Sequence, residues 1–153
     1  MGLKIYNDVS PDTVFSTEGS FDNPLTHSFN GTTGEVIERR YYIRNDDASR
    51  WYSNISVQPV VSSGDDIVDG VGSTEGYSWK VLAGDSQPLE EQWELKDAGE
   101  AVSLGSDIGS GSVGDTTTYL PFWLRIQIPP NAPIASYQGI VLKIETTEGL
   151  VTP

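Results

Sequence analysis

Cysteine is absent from the chain, which excludes disulfide bonds, thiolate-bound zinc and a thiol nucleophile. Histidine occurs once, at His27, so a serine–histidine–aspartate triad would depend on this residue alone. Its surroundings, LTHSF, lack a strained Gly-x-Ser-x-Gly turn, and we expect an ordinary strand or loop histidine. No apolar run marks a signal peptide or reaches the length of a membrane span, so we expect neither.

Basic residues are also scarce. The chain has 9 Lys and Arg against 22 Asp and Glu, a formal net charge of −13 at pH 7. Nucleic acid and anionic membrane surfaces are bound through clusters of basic side chains, so we expect neither as a partner. An excess of acidic side chains keeps a protein soluble through charge repulsion, and this is the simplest interpretation of the imbalance.

Acidic residues cluster in the segment GDDIVDG. Asp65, Asp66 and Asp69 carry carboxylate oxygens of the kind that calcium prefers, but their spacing is not that of an EF-hand loop. A second loop, at Asp107 or Asp115, would have to complete the coordination shell. We therefore expect a solvated acidic loop, and we predict no metal and no cofactor.

Paired carboxylates for glycoside hydrolysis are offered by Glu90, Glu91 and Glu94. They fall in residues 85–96, which carry the only helical pattern of the chain, and exposed charges beside Lys96 are the usual outcome there. We therefore predict that the protein is not an enzyme.

The clearest strand pattern lies in Thr116–Pro130. Apolar side chains recur there at every second position and predict one buried sheet face: Leu120, Phe122, Leu124, Ile126 and Ile128. The residues between them predict a second, amphipathic face: Tyr119, Trp123, Arg125 and Gln127.

Further strand patterns occur in short segments separated by turn-forming residues. They are Leu3–Tyr6, Thr13–Ser16, Leu25–Phe29, Val36–Arg44, Trp51–Pro59, Tyr77–Leu82 and Tyr137–Glu145. Val36–Arg44 and Trp51–Pro59 flank a polar turn, which predicts an antiparallel hairpin. We predict one all-β domain over residues 1–153, an antiparallel β-sandwich with one short helix, long polar loops and an N-terminal arm over about residues 1–12.

Two segments, YYIRNDDASRWYSNISVQP and LRIQIPPNAPIASYQGIVLKIE, together resemble immunoglobulin-like and fibronectin-like modules found beside bacterial enzymes and on tailed-phage particles. In the first, a strand ends at Asn45 and a polar turn leads to another strand. In the second, a proline-rich corner leads to Tyr137 and Gly139. The resemblance implies an immunoglobulin-like sandwich with Tyr137 as its corner tyrosine, and it carries no catalytic residue.

The whole chain also resembles a small accessory structural protein of a tailed bacteriophage, through its acidic, Gly/Ser/Thr-rich and cysteine-free composition and its single module. The resemblance implies a virion protein, made in the host cytoplasm, that contacts capsid or tail subunits and associates with itself. Capsid decoration is the role we expect. A neck, tail or baseplate position and a carbohydrate-binding adhesion module are the alternatives.

Aromatic side chains are plentiful and predict where partners bind. The chain has four tryptophans and seven tyrosines, and such side chains anchor protein interfaces and stack on sugar rings. We expect two tryptophans in the core and Trp123 outside it, because the strand of Trp123 already has a complete apolar face. The predicted interface residues are Trp123, Arg125 and Tyr119 on the amphipathic face, and Leu3, Ile5 and Tyr6 in the N-terminal arm.

Overall fold

The computed structural model describes residues 2–6, 14–16, 33–61, 78–130 and 140–152. Within these ranges the elements are β1 (Leu3–Tyr6), β2 (Val14–Ser16), β3 (Glu35–Asn45), β4 (Arg50–Val61), β5 (Ser78–Ala83), α1 (Glu90–Glu94), β6 (Val102–Ser103), β7 (Leu120–Ile128) and β8 (Ile140–Leu150). The paired strands of both sheets are antiparallel. The predicted all-β, antiparallel fold with one short helix is confirmed.

The strands form two sheets that share one hydrophobic core. Their orders are β2-β1-β3-β7-β5 and β6-β4-β8. The first sheet contributes Ile43 and Phe122 to the core, and the second contributes Ile55 and Val57. Two layers around one core are the arrangement of a β-sandwich.

The central position of β7 follows from its sequence pattern. This strand lies between β3 and β5 and pairs with both along most of its length. The five apolar residues at alternate positions are all buried in the core, as the period of two predicts.

The predicted hairpin between β3 and β4 is wrong. β3 pairs with β1 and β7, whereas β4 pairs with β6 and β8, so the turn after Asn45 carries the chain from one sheet to the other. A polar turn between two strands signals a change of direction, but it does not determine which sheet the second strand joins.

A bulge in β4 changes which of its side chains face the core. The register against β8 shifts between Ser53 and Ser56, and Asn54 there has a φ of 52°, in the left-handed region that asparagine tolerates better than most residues. Because of this extra residue, Tyr52 and Ile55 both reach the core although three positions separate them.

Several predicted features lie outside the described residues. These are the weak strand Leu25–Phe29 with His27, the acidic loop, and the corner tyrosine Tyr137.

Two buried tyrosines give the fold an expected alkaline limit. Burial raises the pKa of Tyr41 and that of Tyr52 to about 12, from the ordinary value of 10.0. The native state therefore retains these protons at a pH where the unfolded chain loses them. The tyrosine contribution to the free energy of unfolding is fully present below pH 10 and is lost as the pH rises from 10 to about 12.

We expect the urea midpoint of unfolding to fall over that pH range. Tyr41→Phe and Tyr52→Phe remove the ionisable hydroxyls, and each variant should flatten the decrease. Tyr52→Phe should also lower the midpoint at neutral pH, because the Gly2 amide donates to the Tyr52 hydroxyl over 2.6 Å. An equally steep alkaline decrease in both variants would show that these tyrosines are not its cause.

Candidate functional site: a covered sheet face and an open sheet edge

The five-stranded sheet has a surface that points away from the core, here called the outer face, which carries Glu38, Arg40, Trp123 and Arg125. Glu38 lies directly opposite Arg125, and Arg40 directly opposite Trp123, on the paired strands β3 and β7. As the alternation predicts, Trp123 and Arg125 lie on this face, and each is half-buried. Tyr119 lies immediately before β7 and is also half-buried.

Residues 85–97, here called the α1 segment, lie across this outer face. Asp85 accepts a hydrogen bond from the Trp123 indole through its backbone oxygen (3.2 Å), and its side chain pairs with Arg40 at 3.1 Å. Glu90 pairs with Arg125 at 2.9 Å. The Arg125 side chain is only 12% exposed as a result, so the predicted Trp123–Arg125 patch contacts this chain itself.

Trp93 holds the α1 segment in place. It is the one buried residue of α1 and has no exposed surface. Its indole N–H donates to Glu38, its backbone oxygen accepts from Lys80 at 3.2 Å, and the Arg125 guanidinium lies 5.9 Å from its ring centroid. Trp93 thus attaches the α1 segment to the face of the sheet that lies opposite the core.

Two tryptophans were predicted in the core, and two, Trp79 and Trp93, are buried. Only Trp79 belongs to the core between the sheets. Glu90, Glu91 and Glu94 are exposed, and Glu90 is engaged by Arg125. The contact of Glu90 thus pairs an acid with a base.

An arginine and two tyrosines continue the outer face toward β1. The Arg44 guanidinium lies 5.4 Å from the Tyr6 ring centroid and 5.6 Å from that of Tyr119, close enough for cation–π attraction. Its nitrogens donate to the Thr116 carbonyl (2.6 Å) and to the Tyr6 hydroxyl (3.0 Å). Tyr119 therefore packs against side chains of the same chain, and its role in a partner interface stays a prediction.

The predicted arm residues are part of the sheet. Leu3, Ile5 and Tyr6 lie in β1, between β2 and β3, and their exposures are 1%, 0% and 1%. Leu3–Tyr6 is thus an internal strand rather than a free arm. A partner would have to unpack the sheet to reach these side chains.

Asp115, a candidate calcium ligand, instead organises the turn before β7. Its carboxylate accepts hydrogen bonds from the backbone and hydroxyl groups of Thr117 and Thr118, and these bonds lower the pKa of Asp115. Asp107, the other candidate, is exposed. Asp115 thus uses its carboxylate to cap the turn through hydrogen bonds.

The second surface is the edge formed by β8, which extends further than the predicted Tyr137–Glu145. Among the described edge strands, β8 has 11 residues, whereas β2, β5 and β6 have 3, 6 and 2. The edge of β5 is also partly capped, because the Gly99 amide donates to the Trp79 carbonyl at 2.9 Å. No described strand pairs with the side of β8 that faces away from β4, here called the open edge.

Hydrogen bonds of β4 establish which of its backbone groups face β8. Tyr52 exchanges two backbone hydrogen bonds with Ile108, and the Ile55 carbonyl accepts one from Leu104. These bonds lie on the β6 side of β4. Because backbone groups alternate in direction along an antiparallel strand, Ser53 and Ser56 direct theirs toward β8.

The partners of these residues in β8 are Thr147, opposite Ser53, and Glu145, opposite Ser56. The odd-numbered residues of β8 therefore bond to β4, and the even-numbered residues direct their N–H and C=O groups to the open edge. Four residues near the middle of β8 do so: Leu142, Ile144, Thr146 and Glu148. The sequence does not show that β8 forms this edge, and the charged pair of Lys143 and Glu145 in an otherwise uncharged start of the strand is the signal that could have indicated it.

Comparison with known proteins adds no identification. No protein-family model, no curated protein and no solved structure matches the chain. Across the described ranges, no helix is long and apolar enough to cross a membrane, and no three His, Cys, Asp or Glu side chains are placed to hold a metal ion. The outer face and the open edge are therefore the two candidate functional surfaces.

Proposed function

We propose that this protein is a non-enzymatic structural protein of a virion, a capsid decoration protein with an immunoglobulin-like sandwich that binds and reinforces a larger particle. The observation that supports the proposal best is the open edge of β8. Within the part of the chain that the structure describes, this edge of β8 presents a row of N–H and C=O groups with no strand partner, and another chain can add a strand to such an edge. Assembly by strand addition needs neither a cofactor nor a catalytic group.

The covered outer face favours the open edge as the place of assembly. Its central arginines are already paired with Asp85 and Glu90, so a partner would gain contacts there only by displacing the α1 segment. The same cover weakens the carbohydrate-binding alternative, because half-buried Trp123 lies beneath Asp85 rather than forming a free stacking platform. A neck, tail or baseplate position would use the same edge.

Thr146 offers a matched pair of variants for testing this role. Its amide N–H points to the open edge, and its hydroxyl donates to the Ser53 carbonyl at 2.9 Å. Thr146→Pro removes the edge N–H and the hydroxyl, whereas Thr146→Ala removes only the hydroxyl. Proline is tolerated at an edge position whose N–H faces solvent, so both variants should fold.

The experiment is sedimentation of tagged protein with particles purified from a lysate of the source organism. We expect the wild type and Thr146→Ala to sediment with the particles and Thr146→Pro to remain in the supernatant. Failure of the wild type to sediment with any particle would refute the virion role. Equal binding of all three proteins would refute the open edge as the docking element.

A further inference from the structure

We infer that the open edge pairs with a second copy of this chain, antiparallel through β8, about a two-fold axis at Ile144. The inference rests on the proposed function only in taking the open edge as the assembly element. It adds the identity of one partner and the register of the contact. The resulting sheet would have the order β6-β4-β8-β8-β4-β6.

Symmetry restricts the registers that are available. A two-fold axis perpendicular to the sheet keeps each face of the sheet on the same side in both copies. Residues opposite each other must then have side chains on the same face, so their numbers must both be odd or both be even. The axis therefore lies midway between the two copies of one residue, and that residue faces its own copy across the axis.

The charges of β8 select one of these registers. With the axis at Ile144, Lys143 of each copy lies opposite Glu145 of the other, and two cross-strand ion pairs form. Moving the axis by one residue in either direction places Lys143 or Glu145 opposite its own copy, which is repulsive. Both side chains are exposed and now pair with each other within one chain at 2.6 Å, so exchanging partners costs little.

Backbone hydrogen bonds are compatible with this register, as they are with any axis that places even-numbered residues opposite even-numbered residues. Ile144 and its neighbours Leu142 and Thr146 direct their N–H and C=O groups to the open edge. With the axis at Ile144, Leu142 faces Thr146 and Ile144 faces itself, so every one of these groups finds a partner. Lys143 and Glu145 then fall at a non-hydrogen-bonded position, where opposing side chains approach most closely.

Local neutrality favours a second copy at this place. The chain has a net charge of −13, so most contacts between two copies are repulsive. The first eight residues of β8, IVLKIETT, hold one lysine and one glutamate and are neutral as a group. Half-buried Ile144 would also gain contact with its own copy, next to the core that it already borders.

Charge reversal tests the register, with sedimentation velocity as the measurement of dimerisation. Lys143→Glu places Glu opposite Glu twice, and Glu145→Lys places Lys opposite Lys twice. We expect each to weaken the dimer about tenfold or more, and the double variant to restore wild-type affinity. A wild-type chain that is monomeric at all concentrations overturns the inference, and so does a dimer that is indifferent to the single reversals.

A cysteine placed on the axis gives an independent readout, because the natural chain has none. Opposing Cα atoms of a hydrogen-bonded pair lie about 5.5 Å apart, within the range that a disulfide spans. Ile144→Cys should therefore give a covalent dimer on mild oxidation. Thr147→Cys, whose partner in this register would be Val141, should not, and efficient cross-linking of Thr147→Cys instead would overturn the register.

These outcomes are distinct from failure of the virion role. Self-association is measured on purified protein, whereas particle binding is measured by sedimentation with particles. A monomer that binds particles in a manner sensitive to Thr146→Pro would overturn the second copy as partner and leave the proposed function standing. A dimer that is weakened by the single charge reversals but binds no particle would support the second copy as partner and overturn the proposed function.

Discussion

Trp93→Ala is expected to lower the free energy of unfolding by about 3–5 kcal/mol, the usual range for removing a fully buried tryptophan. Trp93 is the only buried side chain of α1, and a helix of five residues has little stability of its own. Its loss also leaves Glu38 without the indole donor. Urea unfolding followed by circular dichroism at pH 7 measures the change.

Two variants separate packing from hydrogen bonding at this position. Trp93→Phe keeps an aromatic ring but not the N–H, so we expect a smaller loss, about 1–3 kcal/mol. Leu95→Ala, in the same segment, removes a side chain that is 86% exposed and should change stability by less than about 0.5 kcal/mol. A loss in Trp93→Ala no larger than in Leu95→Ala would show that the α1 segment does not stabilise the sheet.

Release of the α1 segment should also be visible on the outer face. After Trp93 is removed, the ion pairs of Asp85 with Arg40 and of Glu90 with Arg125 remain to hold the segment. Their carboxylates are exposed, and such ion pairs contribute little to stability by themselves. We expect residues 85–97 of Trp93→Ala to lose most of their hydrogen-exchange protection through local opening, whereas core amides of β7 should lose protection only to the extent that the free energy of unfolding falls. This pattern would show that the segment is a separable cover.

Sequence patterns predicted the strands well because a strand carries its own signal. Alternation in β7 and β3 gives both the element and the buried face, since a period of two leaves few other ways to bury Phe122 or Ile43. The bulge at Asn54 illustrates the limit of this reasoning. One extra residue reverses the alternation, and nothing in the neighbouring sequence marks it strongly.

Pairing between strands was less predictable, and the candidate site depends on it. That β3 and β4 join different sheets is a property of long-range contacts, and so is the position of β8 at an edge. Trp123 was predicted on the correct side of β7, but its pattern cannot show that Trp93, thirty positions earlier in the chain, covers the same face. An amphipathic strand face is thus weak evidence for a partner when the chain has its own covering segment.

Asn45→Ala is expected to lower the free energy of unfolding by about 3 kcal/mol, because it removes a donor from three partly buried carbonyl groups, of which that of Asp47 keeps the Arg50 amide as another donor. Asn45 is fully buried where the chain crosses between the sheets. Its side-chain amide donates to the carbonyl oxygens of Asp47 (2.8 Å), Arg50 (3.1 Å) and Asp115 (3.2 Å). Its side-chain oxygen accepts from the Asp47 amide at 2.9 Å.

These bonds connect parts of the chain that no strand pairing joins. Asp47 and Arg50 belong to the crossing into β4, and Asp115 begins the turn that leads into β7. One amide therefore fixes the crossing and the entry to the central strand at once. We expect the loss in Asn45→Ala to appear as a single cooperative transition at lower urea concentration rather than as local fraying.

Asn45→Asp is the sharper variant, because it keeps the shape of the side chain and replaces the amide with a second oxygen. At pH 7 that oxygen would face carbonyl oxygens with no proton to share, so we expect a loss at least as large as in Asn45→Ala. Ser49→Ala removes one exposed hydrogen bond in the same turn, from the Ser49 hydroxyl to the Asp47 carboxylate, and should cost no more than about 1 kcal/mol. If Asn45→Asp were as stable as the wild type, water molecules would have to donate hydrogen bonds to these carbonyl groups. The Asn45 amide would then not be what stabilises the crossing between the sheets.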